Sequence, residues 1–237
     1  MILCKTIEKY MNDLSLNNYK NKDEYLVELN YMYFFKNELF IKKVDKIELY
    51  DTILFDCIKY EYIFNFLIKK YKGKININLK NVDDNTIFHL LLLERQQYDL
   101  FRRVWLIYKD KYNINLQNNN GYTILHLLID KNWYDLFKEV LFTYRDKYDV
   151  NLRDCWWKTI LHYLIKKERY DLFKEVLLMF KDKYDINLRD MFMDTILHLL
   201  IYKEQYDLFV EVFKIFKDKM DSELYNYCVE KIEELKL

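Results

Sequence analysis

The sequence of 237 residues contains no proline, no alanine and only two glycines, Gly73 and Gly121. Glycine-rich phosphate-binding loops need several glycines close together, because the backbone must approach the phosphate closely. Two distant glycines therefore exclude this class of nucleotide site. The missing residue types have GC-rich codons, whereas abundant ones such as Lys, Asn and Ile have AT-rich codons. The composition thus favours an AT-rich genome as the origin of the chain.

An excess of charge of one sign is also missing, because 38 Lys and Arg residues balance 38 Asp and Glu residues. Proteins that bind nucleic acids or anionic membranes usually carry an excess of basic charge. No apolar run approaches the roughly 18 residues that a membrane-spanning helix needs, and Lys5 places a charge too early for a secretory signal. We expect an intracellular, cytoplasmic protein that binds neither nucleic acid nor membrane. The sequence leaves secretion as an effector open.

Residue types that carry catalysis or bind metals are scarce or badly spaced. The only serines are Ser15 and Ser222, and neither lies in the strained turn that activates a nucleophile. The four cysteines are Cys4, Cys57, Cys155 and Cys228. No two of them have the spacing of a zinc site, and cysteines so scattered are most simply reduced thiols. We therefore expect a protein that is not an enzyme and has no cofactor.

What the sequence does contain is a repeat of 36 residues. The motif Thr-Ile-Leu-His begins at Thr123, Thr159 and Thr195, and a related motif begins at Thr86, 37 residues before Thr123. A weaker copy begins at Thr52. All 4 histidines of the chain fall in this motif. Such a period is typical of proteins built from stacked supersecondary units.

Each repeat contains further shared segments. The motif Tyr-Asp-Leu-Phe follows the Thr and begins at Tyr98, Tyr134, Tyr170 and Tyr206. In the repeat of Thr86 this motif comes one residue later than in the others, and the insertion accounts for the single step of 37. A charged connector and a segment of alternating apolar and polar residues complete the repeat, as in residues 181–184 and 185–188.

One repeat predicts two short amphipathic helices and an extended arm. The first apolar stripe consists of Ile160, Leu161, Leu164 and Ile165. Thr159 can cap this helix through its hydroxyl. The second stripe consists of Leu172, Phe173, Val176, Leu177 and Phe180. The alternation in residues 185–188 predicts an extended arm or hairpin. Because neither helix can bury its stripe alone, neighbouring repeats should stack.

This pattern resembles the ankyrin repeat, whose unit is a hairpin followed by two antiparallel helices. Residues 118–126 read Asn-Asn-Asn-Gly-Tyr-Thr-Ile-Leu-His and carry the Gly, Thr, Leu and His of the family's D-x-x-G-x-T-P-L-H motif. Residues 149–151 and 185–187 carry its D-V-N or D-I-N ending. The resemblance covers about residues 50–220. It implies a mostly α fold, a helical-repeat solenoid of arm-helix-turn-helix units with helical caps.

The chain departs from the family at three kinds of position. The Pro of the family motif is Ile in every repeat, and the paired Ala residues are replaced by larger apolar ones such as Leu164 and Ile165. The Gly before the Thr survives at Gly121, whereas Trp157 and Met193 stand at the equivalent positions. Because larger side chains increase the distance between packed helices, we expect the spacing and curvature of the stack to differ from those of the family.

The sequence predicts three regions. Residues 1–48 form an N-terminal helical cap or degenerate repeat, residues 49–220 form an array of about five ankyrin-like repeats, and residues 221–237 form a C-terminal capping helix. Asp221 or Ser222 can begin this last helix. Terminal caps are expected because a stack of repeats needs a polar outer face at each end.

The recurring histidines suggest a metal site, but their spacing argues against one. Equivalent residues of neighbouring repeats lie about 10 Å apart when helices pack side by side, whereas zinc ligands lie about 2 Å from the metal. We expect instead that each His forms hydrogen bonds to the backbone and to the Thr at its helix start. In this way each His would tie one repeat to the next.

The residues that vary between repeats lie just before the Thr, at 82–85, 119–122, 155–158 and 191–194. We call these four segments the tips. By resemblance to the ankyrin family, tips and first-helix faces contact partners. The candidate binding residues of the tips are Asn119, Asn120, Tyr122, Trp156, Trp157, Lys158, Met191, Phe192 and Met193. Those at the ends of the first helices are Lys166, Lys167 and Tyr202.

Clustered Trp, Phe and Met side chains at the tips favour a binding surface if they are exposed. The alternative is that they fold inward and fill gaps beneath the arms. The sequence therefore predicts a non-enzymatic module that binds a protein partner, most simply as a monomer. The rival hypothesis is a structural scaffold in which the same apolar surface joins copies of the chain into a homo-oligomer.

Overall fold

A computed structural model describes residues 53–72, 74–95 and 98–236. The predicted N-terminal cap, residues 1–48, lies outside the described residues. The described part is mostly helical, and successive helices contact one another. No helix in this part has the length and the apolar character needed to cross a membrane.

The α-helices alternate between short first helices and longer second helices. They are α1 (Ile53–Cys57), α2 (Glu61–Lys70), α3 (Ile87–Leu90), α4 (Tyr98–Tyr108), α5 (Ile124–Asp130), α6 (Tyr134–Tyr144), α7 (Ile160–Lys166), α8 (Tyr170–Met179), α9 (Ile196–Tyr202), α10 (Tyr206–Phe216) and α11 (Ser222–Leu235). A π-helix, Leu91–Arg95, continues α3, and a short 3₁₀-helix, Lys217–Lys219, follows α10.

The described residues divide into two compact units. One comprises the residues up to Val82 together with Arg103–Tyr112, and the other comprises Asp83–Arg102 and the chain from Asn113 onward. In the first unit α1 packs on α2, and the hydroxyl of Tyr108 donates to the carbonyl of Ile68 at 3.4 Å. The second unit contains the four tips except Val82, and it holds the candidate site described below.

A shared capping arrangement starts the first helices of the second unit. Each begins after a Thr in extended conformation, and the Thr N–H donates to Nδ1 of the His three residues later. The distances are 3.2 Å in the pair Thr86–His89 and 3.3 Å in Thr123–His126. The bond satisfies an N–H that helix geometry leaves without an intrahelical partner. It therefore fixes where each first helix begins.

The second helices bury the predicted apolar stripe. In α8, Leu172, Phe173, Val176 and Leu177 are buried, and Phe180 at its end is buried as well. The opposite faces carry ion pairs between successive second helices, at 3.2 Å for Arg102–Glu139, 2.6 Å for Lys138–Glu175 and 2.7 Å for Lys174–Glu211. These pairs are solvent-exposed, so each contributes at most about 1 kcal/mol.

The π-helix at Leu91–Arg95 lies in the repeat that has the step of 37 residues. A π turn closes its hydrogen bonds over one more residue than an α turn, so it takes up a single inserted residue without ending the helix. The repeat of Thr86 is the one in which Tyr98 comes one residue late. The insertion inferred from the sequence is therefore absorbed inside the first helix.

The predicted extended arms are turns, and the described residues contain no β-strand. The reason lies in the Asn and Asp side chains, which bond to nearby backbone and compete with strand pairing. Oδ1 of Asp149 accepts the N–H of Asn151 at 3.0 Å. The Asn151 side chain then bridges to the next repeat, where Nδ2 donates to the carbonyl of Lys183 and Oδ1 accepts the N–H of Asp185, both at 2.9 Å.

The C-terminal helix α11 begins as the sequence predicts. Asp221 is its N-cap, and its carboxylate accepts the N–H of Leu224 at 2.7 Å. Leu224 and Cys228 are buried. The ring of Tyr227 stacks on that of His198 at a centroid distance of 4.1 Å, so this helix covers the last first helix of the series.

Candidate functional site

An Asn or Asp side chain organises each of the last three tips. Oδ1 of Asp154 accepts the N–H groups of Trp156 and Lys158 at 2.9 and 2.8 Å. Asn118 and Asp190 make the equivalent pair of bonds in their own tips. Because each side chain is buried and holds two backbone groups, the shape of the tip does not depend on the variable residues.

Backbone hydrogen bonds also join each tip to the one before it. The N–H of Cys155 donates to the carbonyl of Asn120 at 2.8 Å, and the N–H of Met191 donates to the carbonyl of Trp156 at 3.0 Å. The N–H of Asn119 bonds to the carbonyl of Asp83 in the same way at 3.0 Å. The tips are therefore spaced regularly, and none of these bonds uses a variable side chain.

One position in every tip has a left-handed backbone. The φ angle is 58° at Asp84, 74° at Gly121, 60° at Trp157 and 67° at Met193. This region favours glycine and costs other residues about 1–2 kcal/mol. The backbone geometry of Gly121 is thus kept at Trp157 and Met193, where bulky residues occupy it.

The Trp, Phe and Met side chains of the tips are exposed. The exposed fraction is 47% for Trp156, 51% for Trp157, 66% for Phe192 and 57% for Met193. They do not fill gaps beneath the arms, which was the alternative that the sequence left open. Exposed side chains of this size in adjacent tips form an apolar surface of the kind that binding sites present.

A groove of about 420 Å³ lies between the tips and the first helices. Its walls include the predicted binding residues Tyr122, Trp156, Lys158, Lys166 and Phe192. The structure adds four residues that the sequence did not indicate, which are Leu93, Leu127, Asp130 and Tyr163. Residues from four successive repeats therefore meet in one concave surface, which we call the tip groove.

The remaining predicted binding residues lie outside the tip groove. They are Asn119, Asn120, Trp157, Lys167, Met191, Met193 and Tyr202. Asn119 and Asn120 lie exposed on their tip, and Lys167 pairs with Asp130. The ring of Tyr202 is exposed, and its hydroxyl donates to Oδ1 of Asp194 at 3.2 Å.

A chain of hydroxyl groups fixes the polar wall of the tip groove. The hydroxyl of Tyr163 lies 2.7 Å from Oδ2 of Asp154 and 3.3 Å from the hydroxyl of Tyr122. A carboxylate can only accept, so Tyr163 donates its proton to Asp154, and Tyr122 then donates to Tyr163. The hydroxyl oxygen of Tyr122 keeps free lone pairs toward the groove. Burial raises the pKa of Tyr122, so this hydroxyl remains protonated near neutral pH.

Two of the three lysines near the tip groove are neutralised. Nζ of Lys158 lies 3.6 Å from Oδ2 of the buried Asp190, and Nζ of Lys167 lies 3.3 Å from Oδ1 of Asp130. Lys166 is exposed in the last turn of α7, and no carboxylate within the described ranges pairs with it. Lys166 is therefore the exposed cation at the groove, whereas the carboxylate of Asp154 is buried behind the polar wall and accepts from two N–H groups and the hydroxyl of Tyr163.

The recurring histidines have a structural role, as the sequence predicts. Nδ1 of each ring accepts from the Thr at its helix start, so a neutral ring carries its proton on Nε2. Nε2 of His89 donates to the carbonyl of Tyr122 at 2.8 Å, and that of His126 donates to the carbonyl of Lys158 at 3.2 Å. These two bonds tie α3 and α5 to the tip that follows each of them.

Burial keeps His126 and His162 uncharged at neutral pH. It lowers the pKa of His126 and that of His162 to about 4, and it also lowers the pKa of His198. Nearby carboxylates act in the opposite direction but more weakly, such as that of Asp154 on His126. Nε2 of His162 is buried without a hydrogen bond of normal geometry, although the carbonyl of Asp194 is close enough to affect its pKa.

The residues that hold the tips in shape are not among those predicted from the sequence. Asn118, Asp154 and Asp190 all lie five residues before the repeat Thr and recur at the step of 36. This recurrence was visible in the sequence, and Asn and Asp are the residues that most often bond to backbone two residues onward. This recurrence of Asn or Asp at one position of the repeat is therefore the sequence signal for a side chain that holds the tip.

The described part of the chain contains no group of three or more His, Cys, Asp or Glu side chains placed to hold a metal ion. No protein-family model matches the chain, and no curated protein matches it either.

Proposed function

We propose that this chain is an ankyrin-like solenoid of helical repeats that binds a protein partner and has no enzymatic activity. The partner contacts the tips and the faces of the first helices. The single observation that carries the proposal is the tip groove, where Trp156 and Phe192 are exposed while the backbone of their tips is held by the carboxylates of Asp154 and Asp190. Exposed aromatic residues on a rigid frame are the usual core of a protein interface.

The frame supports the proposal because it does not require these side chains. Asp154 and Asp190 hold the tips through backbone N–H groups, and the first helices are fixed by the Thr and His residues. Burying an exposed aromatic ring against a partner contributes roughly 2 kcal/mol. The fold does not need the exposed rings of Trp156 and Phe192, and binding to a partner is the role that we propose for them.

The test uses the full chain to capture proteins from cells, with captured proteins identified and binding repeated with the purified partner. The double variant Trp156→Ala, Phe192→Ala removes both aromatic walls. Phe142→Ala is the matched control, because Phe142 is similarly exposed on α6 and does not line the groove. We expect the double variant to lose the partner and the control to retain it, with both unfolding near the wild-type temperature.

Partner binding that the double variant leaves unchanged would contradict the proposal. A partner lost equally from the Phe142→Ala control would contradict it as well, because the contact would then lie elsewhere.

Sedimentation of the purified chain at several concentrations tests the rival scaffold. A concentration-dependent dimer that the double variant abolishes would show that the apolar surface joins copies of this chain.

A further inference from the structure

We infer that the tip groove binds a short extended segment of the partner that combines a large apolar side chain with an acidic residue. This inference rests on the proposed function and specifies the class of ligand. It follows from three features of the groove: its shape, its polar wall and its charge.

The shape of the tip groove suits a segment of extended chain. Residues of four successive repeats line it, from Leu93 to Phe192. Packed helices lie roughly 8–10 Å apart, so the lined surface is elongated along the direction of the repeats. Its volume of about 420 Å³ is within the range of roughly 300–1,000 Å³ that ligand pockets show. A folded domain could not enter this space, whereas a few side chains of an extended segment can.

The apolar part of the groove lies between two tips. Trp156 and Phe192 provide its exposed aromatic walls, and Leu127 of α5 is buried beneath. Because the backbone of both tips is bonded to Asp154 and Asp190, the two rings are held by a fixed frame. An apolar side chain placed between them loses contact with water on both faces, and this burial is the main source of affinity.

The polar wall selects a hydrogen-bond donor. Tyr122 gives its proton to Tyr163, which gives its own to Asp154, so the Tyr122 oxygen presents only lone pairs to the groove. The main-chain N–H of an extended segment is such a donor, and it occurs at every residue other than proline. The orientation of the chain of hydroxyls follows from the carboxylate, which cannot donate.

The charge of the groove selects an acidic neighbour. Asp190 pairs with Lys158, Lys167 pairs with Asp130, and the carboxylate of Asp154 is buried behind the polar wall, so the exposed charge at the rim is that of Lys166. A carboxylate of the ligand meets this ammonium group at the rim. A basic residue at the same place would be repelled, so the charge of the ligand sets specificity more than affinity.

The test is a selection of random linear peptides displayed on phage, with the full chain as target, followed by binding measurements on synthetic peptides. We expect the enriched sequences to place Asp or Glu within a few residues of Trp, Phe or Leu. Replacing the acidic residue by Lys should weaken binding about five- to tenfold. Trp156→Ala should weaken it about thirtyfold.

Lys166→Glu should reverse the preference, so that peptides with a basic residue bind better than acidic ones. Lys181→Glu is the matched control, because this exposed lysine of a connector makes the same change in net charge away from the groove. The control should keep the acidic preference. Enrichment without acidic residues, or a preference that Lys166→Glu does not change, would overturn the inference.

Failure of this inference can be told apart from failure of the proposed function. If no peptide is enriched while a purified partner still depends on Trp156 and Phe192, the inference is wrong and the proposed function holds. If neither peptides nor any partner depend on these two residues, both are wrong. Dimers of this chain that Trp156→Ala abolishes would show a second copy as the occupant and would also overturn the inference.

Discussion

Gly121 and Trp157 occupy equivalent positions in successive tips, and both have a left-handed backbone, with φ angles of 74° and 60°. At Gly121 the backbone of the following tip is so close that an added Cβ would lie 2.8 Å from Cα of Asp154. The same conformation therefore holds a residue without a side chain in one tip and the largest side chain in the next. The tips keep one backbone geometry while the side chains they present differ.

This relationship predicts an inverted order of stability for two substitutions at one position. Both Trp157→Ala and Trp157→Gly remove the exposed ring, but only glycine adopts the left-handed region without strain. We expect the Gly variant to be more stable than the Ala variant by about 1 kcal/mol in urea unfolding. At Phe142, inside helix α6, the same pair of substitutions should show the usual order, with Ala more stable by about 1 kcal/mol. Equal stabilities at Trp157 would contradict this account of the tips.

Stability should fall in mild acid because of the buried histidines. Their pKa in the unfolded chain is about 6.5, whereas burial lowers the pKa of His126 and that of His162 to about 4. Between these values the unfolded chain binds protons that the folded chain does not. Their contribution to the free energy of unfolding is therefore complete above pH 6.5 and is lost as the pH falls toward 4, by about 3 kcal/mol for each ring.

Urea unfolding at a series of pH values, on the wild type and on His126→Gln, measures this effect. The variant removes one titrating ring, so its stability should vary less steeply between pH 6.5 and 4. Carboxylates contribute equally to both proteins and cancel in the comparison. An identical pH dependence in the two proteins would show that His126 is protonated without cost in the folded state.

The Asn side chain that bridges successive repeats should contribute measurably to stability. Asn151 donates to the carbonyl of Lys183 and accepts the N–H of Asp185. In Asn151→Asp the side chain can no longer donate, and its charge lies against a carbonyl oxygen. We expect a loss of about 1–3 kcal/mol in the free energy of unfolding. The control, Asn226→Asp on the exposed surface of α11, should change stability by less than about 0.5 kcal/mol.

The side chain of Asp154 should control the order of one tip. It accepts the N–H groups of Trp156 and Lys158 and the hydroxyl of Tyr163. Asp154→Ala leaves these donors without their acceptor, so hydrogen exchange at both amides should accelerate about a hundredfold or more. Tyr163→Phe removes only the hydroxyl and should leave the two amides protected. Unchanged exchange in Asp154→Ala would show that the tip is held by other contacts.

The helices of the repeat were predictable from the sequence, whereas the details of the tips were not. The apolar stripe of Leu172, Phe173, Val176 and Leu177 and the cap at Asp221 follow from the spacing and chemistry of single helices. Each of these features depends only on residues that are close together in the sequence. The left-handed backbone at Trp157 belongs to a turn closed by the bond from its N–H to the carbonyl of Asp154 at 2.9 Å, and a bulky residue is not expected at a position that favours glycine.

The arms show why an alternating pattern can mislead. Ile186 and Leu188 alternate with polar residues as in a half-buried strand, and this pattern predicted an extended arm. In the structure Oδ1 of Asp185 accepts the N–H of Asn187 at 3.0 Å, and a turn results. Ile186 is nevertheless buried. The alternating pattern thus predicted the burial of Ile186 correctly and the secondary structure incorrectly.

Photo-crosslinking from defined positions tests the central claim most directly, namely that the tip groove contacts the partner. A photoreactive phenylalanine analogue is placed at Trp156, at Phe192 or at Phe142, and each full-length variant is irradiated in cells. We predict adducts with the same partner protein from positions 156 and 192 and none from position 142. Adducts from position 142 alone, or none from the two tip positions, would contradict the account.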